Sequence, residues 1–384
     1  MLYFDYAATT PMDEEVLSVY GEIAKNIYGN TSSLHNIGAN AEQVLDKCRT
    51  SLANMLQVHR QGIYFTSGGT EGNLLSIISL AKSSSKKGKH IITSIGEHAS
   101  VHSAIKFLKM DGFEISCIPY TPDGIIDIQA LKAEIRPDTI LITIQHVNSE
   151  LGTIQPIRDI SAITRERNIL FHCDCVQSFG KINIAEISPL IDSLTISSHK
   201  IYGPKGVGAV YVNPKLHIVP VFPGFHHENG FRGGTVNVPG IAAFIFAAQK
   251  IQTENKQKTY EKLRDIFLYK LNSHPDRFEI FQASDKNKQL PQIIGLCVTG
   301  LEGQLTMLEC NRNGYAISTG SACQVGQQEP SQAMKALRID NQRANEFIRI
   351  TFGKETKECH VAELADYLIQ LSFDMVGKNI LSNI

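Results

Sequence analysis

Apolar residues fall in short runs through the first two thirds of the chain, with polar, helix-like stretches between them. The runs cover residues 63–66, 90–93, 114–118, 139–146, 169–174, 193–196 and 208–212, and they are rich in β-branched residues. Such runs, bounded by turn residues, predict strands. The stretches 71–81, 100–109, 128–134 and 157–167 predict helices. Strands alternating with helices imply βαβ units, hence a mostly parallel seven-stranded sheet with helices on both faces, an α/β fold. The link from 196 to 208 is too short for a crossover helix, so the last strand is expected to run antiparallel. After Pro239 the pattern changes. Residues 241–272 read as one long helix, followed by strands at 295–298 and 347–351 and helices at 304–311 and 361–373. This predicts a large domain over 13–250 and a smaller α+β domain made of 1–12 and 251–384.

Composition narrows the function. Hydrophobic residues make up 42% and charged residues 20%, as in ordinary globular proteins. Lys plus Arg number 37 against 38 Asp plus Glu, so no basic excess draws the chain to nucleic acid or an anionic membrane. A small-molecule substrate is expected instead. The start, MLYFDYAATTPMDEE, lacks the basic and apolar regions of a secretory signal, and the apolar stretch 241–248 is too short to span a bilayer. Eight cysteines lie scattered at 48, 117, 173, 175, 297, 310, 323 and 359 with no CxxC pair, which predicts reduced thiols and a cytoplasmic protein. The polar run 83–89 is expected to be a solvated loop.

Ligands of open α/β sheets bind beyond the carboxyl ends of the strands. Five groups fall there. Thr66-Ser67-Gly68-Gly69-Thr70-Glu71-Gly72 follows a strand and opens a helix, which suits an anion; a plain turn is the alternative. Gly96-Glu97-His98-Ala99-Ser100 places a histidine that could stack on an aromatic ring and move protons, or simply start a helix. In Gln145-His146-Val147-Asn148, the asparagine could donate to a phenolic oxygen or form a turn. In His172-Cys173-Asp174-Cys175, alternation sets His172 and Asp174 on one face and the cysteines on the other. A carboxylate at the end of an apolar strand needs a partner, and a protonated pyridine nitrogen is one. A metal held by the two cysteines is the poorer reading, since alternating neighbours do not converge on one ion. Last comes Ser197-Ser198-His199-Lys200-Ile201-Tyr202-Gly203, where a lysine past an apolar strand could form a Schiff base. An anion cradle, a ring-facing histidine, a carboxylate and a Schiff-base lysine are the parts of a pyridoxal-phosphate site.

The segments DYAATTP, GNTSSLH, TSGGTEGN, GEHASV, HVNSELGTIQPI, CDCVQSFGK, SSHKIYGPKGVGA, FRGGTVNVPG and STGSACQ span residues 5 to about 353. With them the chain resembles cysteine desulfurases of the NifS/IscS type, class-V aminotransferases within the fold type I pyridoxal-phosphate enzymes. The resemblance implies removal of sulfur from L-cysteine, giving L-alanine and an enzyme persulfide passed to an acceptor protein. It implies pyridoxal 5'-phosphate as cofactor, in Schiff base with Lys200. Asp174 would pair with the pyridine nitrogen, and Asn148 and Gln177 would contact the ring-oxygen side. His98 would stack on the ring and shuttle protons. Gly69, Thr70, Ser197 and His199 would surround the phosphate, with Thr235 donated from a second subunit of a homodimer. Arg349 would grip the substrate carboxylate, with Asn148 beside the substrate. Cys323 would carry the persulfide on a loop like those of the branch with a long flexible segment. No metal site, nucleic acid or membrane is implied. The acceptor would be an iron–sulfur scaffold, a tRNA-thiolation protein or a dedicated iron–sulfur enzyme.

The chain departs from the family pattern in having Thr31 for a usual proline, the stretch Pro223-Gly224-Phe225-His226-His227-Glu228-Asn229 for a glycine-rich one, and HVNSELG for HVNNEIG. A selenocysteine lyase would use the same groups, and another class-V aminotransferase would need no cysteine at 323. A binding platform without activity would have no need of both Lys200 and Cys323.

Overall fold

The structure is a computed structural model that describes residues 1–84, 86–254, 256–320 and 330–381, with side chains up to 374. Among these residues twelve strands form: β1 (Leu2–Tyr3), β2 (Ile63–Thr66), β3 (His90–Ser94), β4 (Glu114–Ile118), β5 (Thr139–Gln145), β6 (Leu170–Asp174), β7 (Ser193–Ser197), β8 (Gly208–Val212), β9 (Phe278–Phe281), β10 (Ile293–Val298), β11 (Tyr315–Ala316) and β12 (Phe347–Thr351).

Seven of them build the central sheet in the order β2-β8-β7-β6-β5-β3-β4. Neighbours from β4 to β7 pair in parallel, and β8 runs antiparallel to both β7 and β2, as its short connection requires. Alternate residues serve opposite faces. Ile91, Leu141 and Val210 pack with Ile77, Leu80 and Leu108 of one helical layer. Ile92, Ile142, Phe171 and Cys173 pack with Leu45, Leu52 and Phe244 of the other. Register then aligns the strand ends that matter: Gln145 of β5 lies opposite Asp174 of β6, which lies opposite Thr195 of β7.

A second apolar cluster surrounds the antiparallel sheet β12-β10-β9. Phe4 sits inside it, because β1 pairs with β11 and Asp5 bridges to Thr351. The amino-terminal segment is thereby tied to strands more than three hundred residues away.

Several elements differ from expectation. The stretch 241–272 is two helices, Val238–Thr253 and Gln257–Leu271. Glu254 leaves the helix (φ −93°, ψ 90°), where ion pairs to Lys354 at 3.0 Å and Lys256 at 3.4 Å hold its carboxylate. The last helix is longer than its apolar pattern, Glu358–Leu381. Helices Glu14–Asn26 and Asn36–Leu56 start on side-chain caps from Asp13 and His35. No described helix is long and apolar enough to cross a membrane.

Candidate functional site

The strand ends open into a cavity of about 220 Å³. Its wall includes Gly69, Thr70, His98, Asp174, Gln177, Ser197, His199, Lys200 and Arg349, so residues remote in sequence converge there. At one end, the turn after β2 enters the helix Gly69–Ser83 through Gly68, whose φ of 149° disfavours a side chain. A Cβ on Gly69 would come within 2.8 Å of Val176 Cγ2, so only glycine leaves this floor open. The helix start offers free N–H groups, and Thr70 is exposed there. Beside it, Ser197 Oγ is buried without a protein partner.

Asp174 is 6% exposed. Its Oδ1 accepts from Val176 N at 2.9 Å and its Oδ2 from Asn73 Nδ2 at 2.7 Å. His172, on the same face, is fully buried, and burial holds its pKa down to about 3. His98 caps the helix Ala99–Met110: its Nδ1 accepts from Ser100 N at 3.2 Å and lies 2.8 Å from Ser100 Oγ. Burial lowers its pKa, opposed by the Asp174 charge. His199, 3.1 Å from Thr9 Oγ1, is pushed down to about 4, chiefly by burial and then by Lys200.

Lys200 Nζ donates to the carbonyls of Ala7 at 2.6 Å and Ala8 at 2.7 Å. Gln177 donates from Nε2 to Ala7 O at 2.9 Å and accepts from Lys181 Nζ at 2.6 Å. Arg349, 2% exposed, donates from Nη1 to Ser149 O at 3.1 Å and from Nη2 to Asp5 Oδ1 at 2.7 Å, while its buried Nε has no protein partner. Its backbone pairs with Ser318 on both sides, N to O and O to N. Gly320 lies against Ser331 and Glu150: a Cβ there would sit 3.3 Å from Ser331 Cβ and 3.6 Å from Glu150 Cδ. Cys323 itself lies outside the described residues.

Two expected residues stand elsewhere. Asn148 is buried but does not line the cavity: its Oδ1 accepts from Glu150 N and Leu151 N, and its Nδ2 donates to Gly96 O at 3.1 Å. Gln145, Val147 and Ser149 form that part of the wall. Thr235 is exposed and away from the cavity of its own chain. The Cys173 and Cys175 sulfurs do approach, to 3.7 Å, because Cys175 follows the end of β6, yet both stay in the core cluster. No group of three or more metal-ligating side chains occurs among the described residues.

Residues 2–364 match the model of the class-V aminotransferases. The chain belongs to the class-V aminotransferase family. A relative from Bacillus subtilis (strain 168), named as a putative cysteine desulfurase NifS, is 48% identical, the alignment covering 93% of this chain and 91% of the relative. A solved NifS-like protein superposes with a TM-score of 0.87 at 30% identity, over 98% and 99% of the two chains. SspA, solved in complex with cysteine, gives 0.80 at 33% identity over 92% and 99%.

Members of this family use pyridoxal phosphate, and the cavity fits that group on its own evidence. It has an orphaned hydroxyl at Ser197 beside a glycine floor and a helix start, a buried carboxylate, and a lysine. The sequence reading missed Asn73, Ser100, Asp5 and the Ala7–Ala8 carbonyls. Asn73 had a signal, since it stands one helical turn after Thr70 and therefore on nearly the same side.

Proposed function

We propose that this chain is a cysteine desulfurase, in which Lys200 holds pyridoxal phosphate and Cys323 receives the sulfur of L-cysteine as L-alanine leaves. The observation that carries this reading is the meeting of Lys200, Asp174 and the Gly69–Thr70 turn on one small cavity. When bound, the cofactor supplies an electron sink that labilises bonds at the substrate α-carbon.

The protein groups do the rest. Gly69, Thr70, Ser197 and His199 bind the phosphate, and Asp174 keeps the ring nitrogen protonated. Gln177 donates to the phenolic oxygen; Lys181 fixes its amide for this by occupying Oε1. His98 stacks on the ring and moves protons. Asn148 acts from behind, bracing the turn that carries His98 through Gly96 O. Arg349 takes the substrate carboxylate with the N–H at Nε, which the protein leaves unused. Lys200 would hold the cofactor, and its amine would take the α-proton of the substrate. Cys323 attacks the substrate sulfur as thiolate; an ordinary thiol, with a pKa of about 8.5, is mostly protonated at neutral pH.

The two-unit division, 13–250 against 1–12 and 251–384, lets the smaller unit bring Arg349 and the Cys323 loop to the larger one. Exposed Thr235 serves the phosphate of the other subunit in a homodimer. The seven described cysteines are all unpaired, in keeping with the cytoplasm. The persulfide then goes to an acceptor protein for iron–sulfur cluster assembly or thiolation. Lys200→Ala is expected to abolish the visible absorbance of the purified protein; an unchanged spectrum refutes the cofactor assignment. Cys323→Ser is expected to keep that absorbance and stop sulfide release from cysteine.

A further inference from the structure

Asn73, His172, Ser100 and His98 form one buried chain of hydrogen bonds. Asn73, on the helix Gly69–Ser83, is 1% exposed. Its Nδ2 lies 2.7 Å from Asp174 Oδ2 and 2.9 Å from Ser100 Oγ, and its Oδ1 lies 3.2 Å from His172 Nε2. Ser100 Oγ is in turn 2.8 Å from His98 Nδ1, to which Ser100 N also donates.

The direction of each bond follows from the groups that have no choice. A carboxylate only accepts. Asn73 must therefore turn its NH₂ to Asp174; flipped, it would press a carbonyl oxygen against a buried carboxylate. The second hydrogen of that NH₂ goes to Ser100 Oγ. Asn73 Oδ1 then accepts, so His172 donates from Nε2, and its Nδ1 accepts from Ser193 Oγ at 3.3 Å. The depressed pKa of His172 agrees with a neutral ring there. Ser100 Oγ accepts from Asn73 and keeps its own hydrogen for His98 Nδ1, which the Ser100 amide already makes an acceptor. That nitrogen accepts from both the hydroxyl and the amide of Ser100, so the proton of a neutral His98 sits on Nε2. Burial lowers the pKa of His98, with Asp174 opposing that shift and Lys200 and His102 adding to it.

We propose that Asn73 is a positioning residue: acting through Ser100, it fixes His98 as the Nε2–H tautomer, so that this histidine meets the cavity as a proton donor. Only the identity of the group that receives the proton rests on the desulfurase reading; the tautomer does not.

The test is nitrogen-15 NMR on the pyridoxal-phosphate-loaded enzyme with labelled histidine, at mildly alkaline pH, with His98→Gln to assign the signal. In the unaltered enzyme the proton is expected on Nε2; a proton on Nδ1 overturns the proposal whether or not the enzyme releases sulfide. Asn73→Leu frees the Ser100 hydroxyl and is expected to give a clear Nδ1–H population. The same change in a Ser100→Ala background, where the relay is already broken, is expected to add nothing. An unchanged tautomer in folded Asn73→Leu, or equal changes in both backgrounds, overturns the proposal. If Asn73→Leu does not fold, Asn73→Ala decides on the same terms: an Nδ1–H population is expected, and a tautomer identical to that of the unaltered enzyme overturns the proposal.

Discussion

The wall of the cavity at the end of β6 and the wall at Arg349 both bury charge, but they complete their hydrogen bonds differently. At Asp174 the two carboxylate oxygens each have a donor within 2.9 Å, and the donor from Asn73 is itself held by His172. At Arg349 two nitrogens are spent on Ser149 O and Asp5, and Nε is left without a protein partner. A buried donor left unmade costs about 1–3 kcal/mol unless a ligand completes it. The first wall is therefore preorganised for a group that stays, and the second is incomplete in the way that suits a group that comes and goes.

Removing charge from the finished wall is expected to have the largest effect. Asp174→Asn keeps the shape and loses the carboxylate, and a loss of about 10²–10³-fold in kcat/KM is expected, as for other preorganised charges at a reacting centre. Alanine formation from cysteine measures it. A loss below tenfold would mean that the partnered wall is merely structural.

The open wall is expected to show itself in substrate binding. Arg349→Lys exchanges a planar fork for a point charge, which cannot keep Ser149, Asp5 and a substrate carboxylate together. Charge-assisted hydrogen bonds contribute about 1.5–3 kcal/mol, so KM for cysteine should rise about 10–100-fold. Visible absorbance of the bound cofactor should stay as it was. Equal KM values would erase the contrast between the walls.

Acid should find the finished wall next. The pKa of His172 is depressed to about 3, below its ordinary value of about 6.5. A depressed folded-state pKa means the unfolded chain binds the extra proton in that window, so stability falls as pH drops through 6.5 toward 3. Between pH 7 and 5 this one group removes about 2 kcal/mol. Urea midpoints at the two pH values measure it, with His172→Leu as comparison. A variant that loses as much as the parent would show that His172 is not the group responsible.

Periodicity in the sequence marks the parallel sheet well, because the inner strands are buried on both faces and the crossover helices keep their own period. It marks Lys200, Asp174 and the Gly68-Gly69 turn for the same reason, since each lies at or just past the end of a strand. Contacts made across sequence distance left no such trace. Nothing in the pattern says that Ala7 and Ala8 face Lys200. The single helix expected over 241–272 failed at Glu254, where ion pairs override an uninterrupted helical composition. The residue type of Asn148 suits a ring contact and a turn equally well, so its bonds from the N–H groups of Glu150 and Leu151 were not legible either.

Ser197 sharpens the comparison with the smallest expected change in stability. It stands at the finished end of the sheet, yet its hydroxyl shares with Arg349 Nε the lack of a protein partner. Without cofactor, Ser197→Ala removes a polar group that the fold does not use. Melting of the cofactor-free protein should move by no more than about 0.5 kcal/mol, the scale of a substitution that breaks no native interaction. With cofactor, the same change removes a donor to a phosphate, and affinity for pyridoxal phosphate should fall about tenfold or more. Titration of cofactor-free protein, followed by absorbance, reads the second effect separately from the first. A variant that loses stability alone and binds the cofactor as before would place the hydroxyl in the scaffold. The division between finished and open groups would then follow the walls rather than the ligand.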